Sequence, residues 1–260
     1  MNELSVAIQL AREAGDILRR GWSLLDYRID HKGPTNPVTA IDCQSELLIV
    51  EGLRRAFPDH GILAEEGTAA SRPHPVRWII DPLDGTVNYI HHIPMVAVSL
   101  GLEMDGEVIL GVVYNPITDE LFVGEQGCGA TLNGMAMHVS TTHTIGEAVL
   151  ASGFPYEAWD TADDNTQAWR SFVKTALTVR CDGSAALDLC QVACGRLDGY
   201  WERGLSAWDI AAGSVIVREA GGWVGDFQLG NNFLQRREII AANYLLAKDI
   251  SRMLVPEQTS

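Results

Sequence analysis

Residues 78–89, Trp-Ile-Ile-Asp-Pro-Leu-Asp-Gly-Thr-Val-Asn-Tyr, constrain this chain more than any other stretch. An apolar, β-prone run (Val76, Trp78, Ile79, Ile80) stops at a carboxylate, a proline, a second carboxylate and a glycine. A buried strand has the first composition and a turn has the second. Asp81 therefore falls at the carboxyl end of a strand, where α/β folds bind ligands. Pro82 has no N–H to continue a central ladder, so the chain is expected to leave the sheet there. Gly85 and Thr86 then offer backbone N–H groups and a hydroxyl at a helix start, a place suited to phosphate. Two acids this close repel unless they share a proton or a cation. An oxygen-only donor set suits Mg²⁺, Mn²⁺ or Ca²⁺ rather than zinc.

The rest of the composition limits what such a site serves. At 260 residues the chain makes one large domain or two intimate subdomains. The formal net charge of −15 argues against direct nucleic-acid binding and against an anionic membrane surface. An anionic substrate is repelled by that field, so a phosphate site here needs bound cations. No apolar run approaches the roughly 18 residues of a membrane span, and the N-terminal segment lacks the pattern of a signal peptide. Cys43, Cys128, Cys181, Cys190 and Cys194 are odd in number and form no Cys-x-x-Cys pair. That fits a reducing cytoplasm better than a disulfide framework or structural zinc.

Along the chain, Leu4, Ala7, Ile8, Ala11, Ala14, Leu18 and Trp22 recur at helical spacing, predicting an amphipathic helix over 3–22. Residues 31–37 read as a loop. Thr39 with Asp42 forms a capping box for a helix reaching about residue 57. A short apolar run over 61–64 ends in the paired acids Glu65 and Glu66. Residues 95–104 and 107–114 read as strands joined at Asp105-Gly106, a hairpin signal. Further turns at 115–118 and at Gly127, Gly129, Asn133 and Gly134 extend this into an antiparallel meander. His91 and His92 are adjacent and cannot easily converge on one ion, so they read as loop packing.

A second half begins near residue 146, dividing the chain into 1–145, with most of the acids, and 146–260. Strands are expected at 148–153 and 177–181, with a surface helix over 159–174 between them. Gly183-Ser184-Ala185 opens an apolar helix ending at Gly195, with Ser184 as its cap. A strand over 197–202 ends at Glu202. Seven residues on, Asp209 stands in the first turn of another apolar helix, where the helix dipole favours an acid. Strands at 223–227 and 238–243 and a closing helix over 245–254 complete the chain.

The 78–89 string resembles the first signature of the inositol monophosphatase family, Trp-x-x-Asp-Pro-Leu/Ile-Asp-Gly-Thr-x-Asn-Phe/Tyr. It is not the Asp-x-Asp-x-Thr of haloacid-dehalogenase-type phosphatases, because Asp81 and Asp84 are three residues apart. The 32–42 segment resembles the family's Lys-x-x-x-Asp-x-Val-Thr-x-x-Asp loop, with Asn36 where Asp is usual. The Glu65-Glu66 pair has the family spacing, and Gly183-Ser184-Ala185 matches a Gly-Thr-Ala segment that lies against substrate. Trp208-Asp209-Ile210-Ala211-Ala212-Gly213, followed by Glu219-Ala220-Gly221-Gly222, resembles the second signature.

The resemblance implies an α/β protein of the sugar-phosphatase type. Its fold would be a layered αβαβα sandwich with mixed and antiparallel sheets between helix layers, assembled as a homodimer. It implies a lithium-sensitive, Mg²⁺-dependent hydrolase using two or three ions, with Mn²⁺ as a substitute. One ion would take Glu65, Asp81 and the Leu83 carbonyl, and a second Asp81, Asp84 and Asp209. Thr86, oriented by Asp42, and Glu65 would activate water, while Glu66 is left as a supporting or solvent-facing acid. The N–H groups of Gly85 and Thr86 would hold phosphate. Asp84, Gly183, Ser184, Ala185, Glu202 and Asp209 would line the substrate. Cys190 and Arg196 have Cys-x₅-Arg spacing, but Cys190 reads as a small core residue on an apolar helix rather than the nucleophile of a phosphate loop, which agrees with direct attack by water. Val87-Asn88 after Asp-Gly-Thr looks inositol-like, and a carboxylate such as Glu202 accepts hydrogen bonds from vicinal hydroxyls. The substrate is then a sugar or inositol phosphate, with myo-inositol monophosphate first. Fructose-1,6-bisphosphate and histidinol phosphate are the alternatives, and a non-catalytic regulatory module of the same fold is the reading from another class.

Overall fold

The computed structural model describes residues 2–24, 29–33, 36–67, 74–162 and 164–255, apart from the side chains of His31, Lys32 and Asn36. The expectation attached to Asn36, two ions or three, therefore lies outside the described residues. Helix α1 (Glu3–Ser23) leads into a two-stranded ribbon, β1 (Ile29–Gly33) and β2 (Asn36–Thr39), and then into α2 (Ala40–Ala56). Next come β3 (Gly61–Ala64), β4 (Val76–Asp84), the short α3 (Thr86–Ile90), β5 (Ala97–Met104) and β6 (Glu107–Asn115). β7 (Glu120–Glu125), β8 (Gly129–Leu132) and β9 (Met135–Ala136) finish a seven-stranded sheet in sequence order from β3 to β9. Only β3 and β4 run parallel in it; the rest is the expected meander, with Asp105 and Gly106 both at positive φ in the hairpin turn.

The second half supplies β10 (Val149–Ser152), α4 (Thr166–Val173), β11 (Thr178–Arg180), α5 (Ala185–Ala193), β12 (Gly199–Arg203) and α6 (Ala207–Glu219). It ends with β13 (Trp223–Gly225), α7 (Phe233–Arg236), β14 (Glu238–Ala242) and α8 (Ala247–Leu254). Its sheet is mixed, in the order β11-β10-β12-β14-β13. β10 is parallel to both neighbours, and β14 is antiparallel to both of its own.

Alternation along the strands defines the layers, because successive side chains leave a sheet on opposite faces. Trp78, Ile80, Leu100, Leu102, Leu110 and Val112 pack with Leu10, Leu18, Ile49 and Leu53 of α1 and α2. Their neighbours face the other way: Ile79 meets Ala211 and Val215 of α6. Val113 and Phe122 join Leu189, Ile216 and, from the second sheet, Tyr200, Ile239 and Ala241. Trp201, Ile240 and Ala242 point to the far side, against Phe172 and Ile250. The order is helices, sheet, helices, sheet, helices, with α5 and α6 in the middle.

Glycines set how closely α6 approaches the first sheet. Gly101, Gly111 and Gly124 are directly opposite one another across β5, β6 and β7. A Cβ at Gly101 would lie 3.1 Å from Ala211 Cβ, and one at Gly124 2.8 Å from Ile216 Cα. At Gly111 it would run into the Ala212 carbonyl oxygen. The three form a shallow trough in which the α6 backbone rests, and that seat holds the first turn of α6 near the end of β4.

Three local expectations are corrected. The 31–37 segment is not simply a loop, because parts of it pair in the β1–β2 ribbon, with Ile29 opposite Thr39 and His31 opposite Pro37. A ribbon has two edges, so a proline there removes no central ladder bond. Strand β4 does not end at Pro82. It pairs Asp81 with Ser99 and Asp84 with Ala97, three steps on one strand against two on the other. That extra residue makes a bulge that absorbs the proline. Helix α4 starts at Thr166 rather than near 159, because Asp164 Oδ1 takes the Thr166 N–H at 2.9 Å and Asn165 is left-handed, φ 68°.

Candidate active site

The bulge in β4 is the foundation. Asp81 and Asp84 belong to one strand yet lie on either side of the irregularity, both buried. Asp81 Oδ1 accepts the Leu83 N–H at 3.0 Å, which fixes the turn of backbone around Pro82. Pro82 O receives the Ser45 hydroxyl of α2 at 2.9 Å. Gly85 follows at φ 85°, and a Cβ there would sit 2.6 Å from Met95 O. Glycine is needed on both counts. The chain then enters α3.

Asp42 and Thr86 meet across 44 residues. Thr39 donates its N–H (2.8 Å) and hydroxyl (2.5 Å) to Asp42 Oδ2, so the capping box forms as expected. The other oxygen, Oδ1, takes the Thr86 hydroxyl at 3.0 Å. Leu83 O is a second acceptor for that hydroxyl, at 3.2 Å. Burial pushes the Asp42 carboxyl up, while the bonds from Thr39 and Thr86 pull it back. Three donors converging on one carboxylate favour its charged form.

The other acids come from separate elements. Glu65 follows β3, and its N–H bonds to Ile80 O of β4 at 3.3 Å, which ties it beside the Asp81 turn. Glu66 donates its N–H to the buried Glu46 at 2.7 Å. Asp209 stands in the first turn of α6, its Oδ2 taking the Ser206 N–H at 2.6 Å. Glu202, near the end of β12, accepts the Tyr200 hydroxyl at 2.6 Å. Gly153 leaves room for this carboxylate, since a Cβ there would collide with both Glu202 oxygens. Ser184 caps α5 as expected, and its hydroxyl also donates to Asp84 Oδ2 at 2.5 Å, joined by the Ala186 N–H at 2.9 Å. Asp84 is thus a cap for α5 supplied from the first sheet.

These carboxyls sense one another. Burial raises Asp81 well above the ordinary range, and Glu65, Asp84 and Asp209 raise it further. Asp209 is raised in the same way, first by burial and then by Asp84. Burial pushes Asp84 up to about 6 against the pull of Ser184 and Ala186. Burial likewise takes Glu202 up to about 7. Glu202 and Asp209 nevertheless keep some surface open to solvent. Among the described residues no three His, Cys, Asp or Glu side chains are already drawn together as a finished metal site. Asp81, Asp84, Asp209 and Glu202 are each turned to a donor of their own. Asp81 accepts through Oδ1, and Asp84 and Asp209 accept through Oδ2. Crowded, buried carboxylates beside a backbone carbonyl fit a hard divalent cation.

Sequence reasoning left two residues out of the site. Asn88 Nδ2 donates to Met95 O (2.9 Å), Asp182 O (2.8 Å) and Gly183 O (3.2 Å), pinning the Gly183-Ser184-Ala185 segment to α3. Its place in the 78–89 string was the available signal. Tyr156 is near enough to feel Glu65, Asp81, Asp84 and Asp209, and nothing in its local sequence marks it. His92 packs edge-on to Trp22, ring centres 5.0 Å apart, as loop packing predicts. A cavity of ≈ 560 Å³ lined by Glu107, Arg218, Trp223, Phe233 and Tyr244 contains none of the site acids.

Five alternating layers and a carboxylate cluster at the end of an inner strand place the protein in the layered sugar-phosphatase class of α/β folds. The chain belongs to the inositol monophosphatase family, whose model matches residues 2–258. It is 42% identical over 253 residues to the inositol-1-monophosphatase of Synechocystis sp., covering 96% of this chain and 88% of that one. It is 40% identical over 255 residues to the Nus factor SuhB of Pasteurella multocida, with 97% and 96% covered. The solved inositol monophosphatase of Anabaena (Nostoc) sp. superposes with a TM-score of 0.88 at 40% identity, covering 96% and 94%. Among the described residues no helix is long and apolar enough to cross a membrane.

Proposed function

We propose that this protein is a Mg²⁺-dependent phosphomonoester hydrolase acting on a myo-inositol monophosphate, with water as the nucleophile. The observation that carries the reading is the gathering of Glu65 after β3, Asp81 and Asp84 of the β4 bulge and Asp209 of α6 beside the Asp42–Thr86 pair. Glu65, Asp81, Asp84, Asp209 and the Leu83 carbonyl would hold the ions. When bound, the ions would neutralise the phosphate dianion and make water a better nucleophile.

The remaining work falls to the chain itself. The Thr86 hydroxyl donates its proton to Asp42. Its oxygen lone pairs are left to accept a hydrogen bond from the attacking water and so aim it. Glu65 would take the proton that this water loses. Gly85 and Thr86 present N–H groups at the first turn of α3, where phosphate oxygens are favoured. Gly183, Ser184 and Ala185 border the leaving-group side through the Ser184–Asp84 contact. Glu202 accepts hydrogen bonds from polyol hydroxyls, and Tyr200 holds its carboxylate in place.

Phosphate release from a panel of sugar and inositol phosphates, with and without Mg²⁺, tests the reading. Activity only with Mg²⁺ and highest on an inositol monophosphate supports it. Asp81→Asn removes the one acid shared by both proposed ions and should abolish turnover while the protein stays folded. Wild-type rates from that variant at limiting Mg²⁺ would refute the two-ion assignment. A second reading, a regulatory module of the same fold, is favoured by the name of the Pasteurella relative. A folded protein that turns over nothing on the panel would support it instead.

A further inference from the structure

The segment after β10 begins beside Glu202. Its two ends are tied together by Asn165, whose Nδ2 donates to Ser152 Oγ at 2.8 Å and to Gly153 O at 2.6 Å. The Asn165 Oδ1 receives the Trp201 indole N–H at 3.1 Å, so the base of the loop is fastened to the strand that carries Glu202. The loop then runs alongside that strand's end. Gly153 lies against the Glu202 carboxylate, and a Cβ built at Gly204 would come within 2.5 Å of Pro155 Cβ. The next residue is Tyr156. Burial first, and then the fields of Glu65, Asp209, Asp84 and Asp81, push its phenol far above its ordinary value. The residue is nonetheless 50% exposed. Gly153 and Pro155 pack against the end of the strand that carries Glu202, so the half-exposed Tyr156 that follows them stands at the rim of the site.

Resting on the phosphatase reading above, we infer that Tyr156 is a substrate-positioning residue that covers the leaving-group end of the site and selects cyclic, hydroxyl-bearing phosphomonoesters over linear ones. The chemistry follows from what Glu202 and Tyr156 each offer. A polyol ring has an edge of hydroxyls and a face of C–H groups. Glu202 accepts from the hydroxyls, and the aromatic ring packs against the C–H face. A linear alcohol such as glycerol has hydroxyls for Glu202 but no flat face for a ring. Aromatic packing of this kind is worth about threefold to tenfold in affinity. It acts before the chemical step, so it belongs in KM.

The test compares wild type, Tyr156→Ala and Tyr156→Phe with Mg²⁺ present, on inositol 1-phosphate and on glycerol 2-phosphate. The readout is the ratio of kcat/KM for the two esters. Tyr156→Ala should lower that ratio by about threefold to tenfold, through KM for the inositol ester. Tyr156→Phe keeps the ring and should hold the ratio within about twofold of wild type. Melting temperatures and circular dichroism establish that both variants are folded. An unchanged ratio in Tyr156→Ala, or a loss of equal size on both esters, overturns the inference and leaves the phosphatase reading standing. Failure of Tyr156→Phe to rescue the ratio overturns the packing role as well. A wild-type protein that hydrolyses neither ester removes the phosphatase reading itself, and this inference with it. Calorimetric titration of inositol 1-phosphate into the Ca²⁺-loaded proteins gives a readout independent of turnover. The dissociation constant should weaken in Tyr156→Ala by the same factor as KM rises.

Discussion

The Thr86 hydroxyl has its proton claimed on one side only. Asp42 Oδ1 and Leu83 O, at 3.0 and 3.2 Å, both accept from it, so neither competes for its lone pairs. Such a hydroxyl orients water better in the transition state than in the ground state, and its loss should appear in kcat. Thr86→Ala is expected to lower kcat by roughly 10²–10⁴-fold, the range for positioned proton-transfer groups. KM should stay near wild type, and Thr86→Ser should recover much of the rate. A change confined to KM would rule out the water-positioning role. On the proposed reading Glu202 is the counterpart on the leaving-group side. Hydrogen bonds to a charged group contribute about 1.5–3 kcal/mol, or roughly 10–150-fold. Glu202→Ala should reduce kcat/KM for inositol 1-phosphate by about that factor. p-Nitrophenyl phosphate offers no hydroxyls and should be spared. Equal losses on the two substrates would point to a structural role for the Glu202–Tyr200 pair.

At the scale of elements, the trough of Gly101, Gly111 and Gly124 decides where α6 sits, and α6 carries Asp209. Gly111→Ala puts a methyl against the Ala212 carbonyl and 2.8 Å from Val215 Cγ1. Backbone cannot swing aside like a flexible side chain, so α6 must lift. Overpacking of this kind costs about 1–3 kcal/mol, or roughly 2–12 °C in a chain of this size. Activity should fall further than the lost stability accounts for, because Asp209 moves with the helix. Gly146→Ala, whose Cβ would have only Thr175 O at 3.8 Å, is the control and should leave both unchanged. A neutral Gly111→Ala would mean that the trough does not set the position of α6.

The same trough shows what sequence reading reaches. Helix starts at Thr39 and Ser184, the Asp105-Gly106 hairpin and the strand leading to Asp81 all depend on neighbours in the chain, and all are present as read. The cross-strand register of three glycines is a property of paired strands and is invisible until they pair. The bulge at Pro82 was missed for a related reason. A rule about proline in ladders does not say whether the partner strand will yield a residue. Asp42–Thr86 and Asp84–Ser184 join residues 44 and 100 apart. A family resemblance suggested the first contact. The bond from Ser184 to Asp84 had no local signal, because a helix-capping serine usually keeps its hydroxyl at home.

At the scale of the whole molecule, the site is a store of like charge inside a chain already at −15. Asp84 is pushed up to about 6 and Glu202 to about 7, from ordinary values near 4, and Asp81 and Asp209 are raised as well. A carboxyl raised on folding means that the folded protein holds the proton more tightly than the unfolded chain. Its stabilising effect is therefore complete below about pH 4 and is lost as pH rises through 6 and 7. Without divalent cations, the melting temperature should fall between about pH 5 and pH 8 as these groups ionise against one another. Cations binding only the folded state reverse this by mass action, and protons compete with them for the same oxygens. Millimolar Mg²⁺ should thus raise the melting temperature by several degrees at pH 8 and hardly at all at pH 5. Asp84→Asn removes one of the repelling charges and should flatten the cation-free slope while weakening the Mg²⁺ response. Thermal melts at the two pH values, in chelator and in Mg²⁺, on wild type and this variant, check all three effects. A cation-free protein that melts higher at pH 8 than at pH 5, or an equal Mg²⁺ increment at both, would show that the buried carboxyls do not govern its stability.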